Sequence, residues 1–468
     1  MQKHFTEQTA IFLSVSKWIF LSSVVGIIIG FVITFFLRSI QMAEDYQSTF
    51  TSGYFHYYYL LPLAFVLSVW LIKKFAPTAE GHGTEKVIEA VHKKDAKIDV
   101  KVIPIKLVAT LTTIFAGGSV GKEGPGAQIG AGVASMISGW LHFSKNDRKK
   151  LVICGISAGF ASVFGTPIAG AIFGVEVLII GVIMYDVLLP SFIAGFAAFM
   201  TTQFMGIEYT YYDVRFYQAV ALDLPFIFYV ILAGLFFGMV SDLLVTSLTK
   251  TAKLIKKIKL NVYIKAFLGG FILVLLTLYF GESYLGLGMS TIKEALNPTE
   301  SFPQDLPWYT FLLKTLFTSI TLGSGGSGGI ITPVFYIGAA SGNLFGHFIG
   351  NGDYIAIFAA LGFVSVLAGA TNAPIASTVM AIELFGVEIA HYAALSAVIS
   401  FLITGHRSVF PSQKLGMSKS GMLDIREGED IQSTSVNLDD KEINKIKDIK
   451  ERLKIKRERL YSKKQHKS

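Results

Sequence analysis

The sequence predicts an all-α polytopic membrane protein with broken and re-entrant helices. Three observations carry that prediction. The 468 residues are 52% hydrophobic and only 16% charged, against about 25% charged in a soluble domain, and the mean hydropathy is +0.54. The charge deficit is concentrated: Trp18–Leu37, Leu151–Val175 and Val187–Gly206 carry no charge, and Thr315–Gly352 with Tyr354–Ile382 carry one histidine between them. A bilayer span needs about 20 such residues. Finally, several apolar segments are short and end at glycine or proline.

In chain order the candidate segments run near 12–37, 55–73, 104–118, 125–142, 151–165, 168–183, 187–205, 225–247, 263–281, 308–321, 332–350, 354–370, 374–387 and 389–404. The first is too long for a secretory signal and is followed by many more. The second opens on Tyr57-Tyr58-Tyr59, whose amphipathic rings suit a membrane interface. Segments 151–165 and 168–183 are split by Gly165-Thr166-Pro167, and 354–370 and 374–387 by Asn372-Ala373-Pro374. Such breaks suggest helices that stop part-way across the bilayer, where irregular backbone is tolerated only in a cavity or inside protein.

The chain repeats itself. Shifting Gly155–Val177 by 207 places Pro167 on Pro374, Ile168 on Ile375, Ala169 on Ala376 and Glu176 on Glu383. A shift of 208 places Pro125 on Pro333 and Ile129-Gly130-Ala131 on Ile337-Gly338-Ala339. Two matched blocks in the same order divide a transmembrane region, 1–420, into halves of about 12–205 and 225–412. Broken helices at matching places in two halves point to a midplane binding site.

The formal charge of +8 is not a nucleic-acid signature. Lys441–Ser468 holds nine Lys and three Arg against four acids, which is the whole excess. Positive segments tend to stay cytoplasmic, so Lys145–Lys150, Lys250–Lys259 and the C-terminus are placed inside. Residues 421–468 read as a cytoplasmic charged tail with no folded regulatory domain; it has Ile446, Ile449, Leu453 and Leu460 at helical spacing. A solvated helix suits it, with anionic lipid or a partner helix as alternatives. The single Cys154 excludes an internal disulfide and a cysteine-rich metal site. No HExxH, cysteine–histidine pair or nucleotide fingerprint suggests an enzyme, and no cofactor or metal is expected.

Glu123 is the residue that most constrains function. No ionisable group lies from Leu107 to Gly121 or from Gly124 to Leu141, and an acid inside a membrane is a functional candidate by default. Gly124-Pro125 follows it and suggests a helix start, which attracts anions. Three glycine-rich loops stand out: Gly81–Glu85, Gly117–Pro125 and Gly323–Pro333. Glycines let backbone N–H groups converge and bind an anion without a full positive charge, as weak multi-site conduction requires. A P-loop is excluded because no Ser or Thr follows Lys122.

Gly121-Lys122-Glu123-Gly124-Pro125, Gly328-Gly329-Ile330-Ile331-Thr332-Pro333 and the internal repeat resemble the CLC family of chloride channels and chloride/proton antiporters, over about residues 12–412. The resemblance implies an inverted-repeat helical fold and a homodimer in the cell membrane with one pore per subunit. Glu123 matches the family's gating glutamate, and Ile330 and Ile331 match the pair whose amides hold the central anion. Two positions depart from the family. Its first loop is usually Gly-Ser-Gly-Ile-Pro, where this chain has His82 for the serine; its pore tyrosine, near the start of the last helix, falls on Phe410. The implied anion-binding set is Gly121, Lys122, Gly124, Pro125, Gly329, Ile330, Ile331, His82 and Phe410. Family antiporters commonly carry a second acid after the one matched by Glu176, and here that position is Val177. The expected function is passive chloride conduction gated by Glu123 with voltage and pH dependence. The alternative is proton-coupled chloride antiport, or a fluoride variant. Chloride, membrane lipid and, for the antiporter, protons are the expected partners; nucleic acid is not.

Overall fold

The computed structural model describes residues 2–51, 55–212, 224–296, 306–350, 354–434 and 437–438. The basic tail from Lys441 lies outside the described residues. The first half holds α1 (Gln2–Phe50), α2 (Leu61–Phe75), α3 (Thr84–Lys93), α4 (Val102–Phe115), α5 (Glu123–Trp140), α6 (Lys145–Phe164), α7 (Pro167–Glu176) and α8 (Tyr185–Phe204). The second holds α9 (Leu224–Lys257), α10 (Val262–Phe280), α11 (Met289–Leu296), α12 (Thr310–Ser324), α13 (Ile331–Ile349), α14 (Ile355–Thr371), α15 (Pro374–Phe385) and α16 (Ala390–Ile403). Among the described residues, five helical stretches are long and apolar enough to span a membrane.

Four helices differ from the sequence expectation. α1 runs well beyond 12–37 at both ends. The segment expected over 168–183 stops as a helix at Glu176 and turns into β1 (Ile179–Ile180). Helices α3 and α11 were not expected at all. They are short and amphipathic, so they leave no apolar run to detect.

The halves meet about a local two-fold axis. Gly121 and Gly329 occupy the same place in the two halves, and they bond each other. Gly121 N–H donates to Gly329 O at 2.7 Å and Gly329 N–H donates to Gly121 O at 2.6 Å, in an antiparallel bridge. Equivalent residues exchange equal bonds in this way when the two halves are related by a two-fold rotation. The same reciprocity appears nearby: Ser119 N–H donates to Thr321 Oγ1 at 3.2 Å, and Ser327 N–H donates to Thr113 Oγ1 at 2.9 Å.

The punctuation read from sequence has a local cause. Gly165 (φ 75°) and Asn372 (φ 58°) end α6 and α14 in the left-handed region. Pro167 and Pro374 then open α7 and α15, where a missing N–H costs nothing. The remaining free amides are capped across the axis. Glu176 accepts from Ile375 N–H at 3.1 Å and Ala376 N–H at 2.8 Å. Glu383 accepts from Ile168 N–H at 2.9 Å and Ala169 N–H at 2.7 Å.

Without a hydrophobic drive between helices in lipid, close backbone approach holds the core. Gly130 of α5 lies against the Gly155 carbonyl of α6, and Gly338 of α13 against the Gly362 carbonyl of α14. A methyl on Gly130 would overlap that carbonyl, whereas one on Gly139 meets nothing within 4 Å. Gly130→Ala is therefore expected to destabilise the protein by about 1–3 kcal/mol. Thermal melting in detergent should show a lower Tm for it and an unchanged Tm for Gly139→Ala.

No helix begins at Phe410. After α16 the described chain runs as a strap through β2 (Lys414–Leu415), which pairs in parallel with β1. A second pair, β3 (Leu423–Asp424) and β4 (Asn437–Leu438), is antiparallel. The Gln413 side chain donates to Val177 O at 2.7 Å and Thr371 O at 2.8 Å, and Lys93 pairs with Asp430 at 2.5 Å.

Candidate anion site

Three helix starts converge on one point. α3 begins at Thr84, α5 at Glu123 and α13 at Ile331, each after a glycine turn. Gly83 takes φ 88°, and a methyl there would overlap the Gly124 carbonyl. A methyl on Gly124 would overlap the His82 carbonyl and meet Gly329 Cα at 3.1 Å. The three loops therefore touch through their backbones, which only glycine permits.

Glu123 points into this junction and is 1% exposed. Its Oε2 accepts from Thr332 N–H at 3.1 Å and from Thr332 Oγ1 at 2.6 Å. Thr332 is the second residue of α13, so the carboxylate is seated at a helix N-terminus, where the aligned peptide dipoles favour negative charge. The amides of Gly124 and Ile331 lie in first turns, where helix geometry supplies no acceptor. Pro125 and Pro333 have no N–H to satisfy. Gly126 N–H and Val334 N–H close the ladders on Lys122 O and Ile330 O, both at 3.0 Å.

The remaining expected residues sit around that seat. Gly121 and Gly329 form the bridge behind it, and Ile330 and Ile331 are buried. Lys122 is half-buried and acts electrostatically on both Glu123 and Glu44 of α1. Phe410 is fully buried, with its ring 5.8 Å from that of His82. His82 Nδ1 is buried and has no hydrogen-bond partner among the described residues. Val177 is buried, and its carbonyl is taken by Gln413. Among the described residues no group of three or more His, Cys, Asp or Glu could hold a metal ion.

Two residues at this site escaped the sequence reading. Thr332 supplies both donors to Glu123; its signal was a hydroxyl one residue into a helix start. Lys106 is buried in α4 and donates to Gly81 O at 2.5 Å and Ala79 O at 3.2 Å, fixing the turn that carries His82. Its repeat partner Lys314, 208 residues on, donates to Gly286 O at 2.9 Å and Tyr284 O at 3.2 Å. A lysine at the same place in two apolar segments was the available signal. Thr332→Val leaves Glu123 a single donor. A neutral hydrogen bond is worth about 0.5–1.5 kcal/mol and one to a charged group about 1.5–3, so the carboxylate should leave its seat more readily.

Comparison with known proteins fits this architecture. A family model described as voltage gated chloride channel matches residues 64–405. A "Chloride/fluoride channel protein" of Pseudomonas syringae pv. tomato is 33% identical over 420 residues, covering 88% of this chain and 90% of that one. A "Voltage-gated ClC-type chloride channel ClcB" of Salmonella typhimurium is 30% identical, covering 65% and 73%. The crystal structure of a CLC-type fluoride/proton antiporter superposes with a TM-score of 0.79 at 29% identity, covering 86% of this chain and 98% of that one. A slow cyanobacterial chloride/proton antiporter shares the fold, with a TM-score of 0.71 at 22% identity, covering 83% and 94%. With the match extending through both inverted halves and the junction between them, the chain belongs to the CLC family.

Proposed function

We propose that the protein carries halide ions across the cell membrane by letting a permeating anion and the Glu123 carboxylate compete for the amides where α5 and α13 begin. The observation that carries this is the seating of Glu123 on Thr332 N–H and Oγ1. In that position the acid blocks the path. Protonation, or an arriving anion, displaces it, and the ion is then passed among the N–H groups of Gly124, Ile330 and Ile331. Passive chloride conduction is the first form of this proposal, supported by Val177, which cannot relay a proton. Every group of the seat comes from one chain, so a homodimer would carry two independent pores.

Fluoride/proton exchange is the second form. It is favoured by the likeness to the CLC-type fluoride/proton antiporter and to the chloride/fluoride channel protein. His82 and Phe410 also leave the site without side-chain hydroxyls there, which changes how a small, strongly hydrated anion is received. Purified protein in liposomes loaded with potassium chloride or potassium fluoride separates the two. Passive conduction gives efflux that needs a potassium ionophore and moves no protons uphill. Exchange lets a fluoride gradient drive protons against their own gradient. Absence of flux for either anion would sink both forms.

A further inference from the structure

We infer that Glu85 is a positioning residue that sets the selectivity of the anion path by holding the Phe410 ring against His82. The inference rests on the pathway proposed above. It goes beyond it by assigning selectivity to a contact outside the glycine loops. Glu85 is the second residue of α3, three residues past His82. Its carboxylate accepts from Ser412 N–H, at 3.0 Å to Oε1 and 3.2 Å to Oε2, and from the Ser412 hydroxyl. Ser412 is two residues past Phe410. The two rings therefore meet between a pair of anchored neighbours, one on α3 and one on the strap.

The other ties of this stretch go elsewhere. Phe410 N–H donates to Ser408 Oγ at 2.9 Å, Ser408 Oγ donates to Ala370 O at 3.3 Å, and Gln413 reaches Val177 and Thr371. These place Phe410 relative to α14 and the end of α7. Near Phe410, the Glu85–Ser412 contact joins the strap to the element that begins beside His82. A carboxylate near an anion path repels the ion, and the Ser412 donors that fix the Glu85 carboxylate on the strap partly offset that repulsion. The neighbouring Lys86 ammonium is committed to Glu89 at 2.9 Å. A purely structural tie between strap and α3 already exists in the Lys93–Asp430 pair, and the β1–β2 pairing holds the strap to the segment after α7, so holding the strap does not by itself require an acid at position 85.

The test is liposome efflux of chloride, fluoride and nitrate through wild-type protein and through Glu85→Ala, Glu85→Gln, Ser412→Ala and Asp430→Asn, with Tm measured for each. Releasing the ring should favour the larger anion. Glu85→Ala should raise the nitrate-to-chloride flux ratio by about tenfold, the equivalent of one charge-assisted hydrogen bond. Ser412→Ala and Glu85→Gln keep part of the contact and should shift the ratio by about threefold in the same direction. Asp430→Asn should leave the ratio alone while lowering Tm. If Glu85→Ala fails to fold, the two milder variants decide. An unchanged ratio in a folded variant of Glu85 or Ser412, or an equal shift in Asp430→Asn, overturns the inference and leaves the pathway intact. A wild-type protein without anion flux overturns the pathway and this inference with it.

Discussion

Glu123→Gln should raise anion flux at neutral pH by about tenfold and abolish its dependence on pH. The substitution preserves size and leaves an oxygen that Thr332 N–H and Oγ1 can still approach, but it removes the charge. Hydrogen bonds to an ionised acceptor are worth about 1.5–3 kcal/mol against about 0.5–1.5 for neutral pairs. A loss of about 1.4 kcal/mol is a factor of ten in occupancy. The neutral side chain also ceases to repel an arriving anion. The sign with pH follows: acid protonates the wild-type carboxylate, so wild-type flux should climb as pH falls, while the glutamine variant should be flat. Efflux from liposomes between pH 5 and 8 reads both. A glutamine variant that keeps the wild-type pH profile would show that another group titrates and that Glu123 does not gate the path.

Much of this architecture was legible because membrane folding leaves coarse marks. Charge-free runs located the long helices, and Gly-Thr-Pro and Asn-Ala-Pro marked the breaks that the left-handed Gly165 and Asn372 produce. The repeat offset of 208 placed Gly121 and Gly329 as equivalents. That they bond each other needed the fold, since sequence equivalence carries no information about which equivalents touch. Thr332 was missed for the same reason: it lies 209 residues from the acid it holds. Helices α3 and α11 were lost because ten and eight residues of mixed polarity look like loop. Their shared Gly-x-Gly openings at Gly81–Gly83 and Gly286–Gly288, each fixed by a buried lysine, were the trace available. The strap after Phe410 was unexpected because the partners that hold it, Glu85, Lys93 and Val177, lie far away in sequence.

Glu176→Ala should cost about 2–6 kcal/mol of stability and leave the conduction of the folded fraction close to wild type. The carboxylate is 7% exposed and takes both Ile375 N–H and Ala376 N–H. Removing it strands two amides at the start of α15, each worth about 1–3 kcal/mol when buried without a partner, and deletes a negative charge from a helix N-terminus. Water cannot replace it inside the bilayer. Glu176→Gln retains one oxygen and should lose about half as much. Glu383→Ala should behave alike but more mildly, because its carboxylate is half-buried. The two caps brace the same pair, α7 and α15, from opposite sides, so the double variant should depart from additivity. Thermal melting in detergent, with efflux normalised to folded protein, separates structure from transport. The position also bears on coupling, since Glu176 lies directly before Val177. If Glu176→Ala kept its Tm and instead lost proton-linked flux, the acid would belong to the proton route and Val177 would cease to argue for a passive path. If Tm falls and the pH profile stays, Glu176 is occupied by two backbone amides and is not free to carry protons.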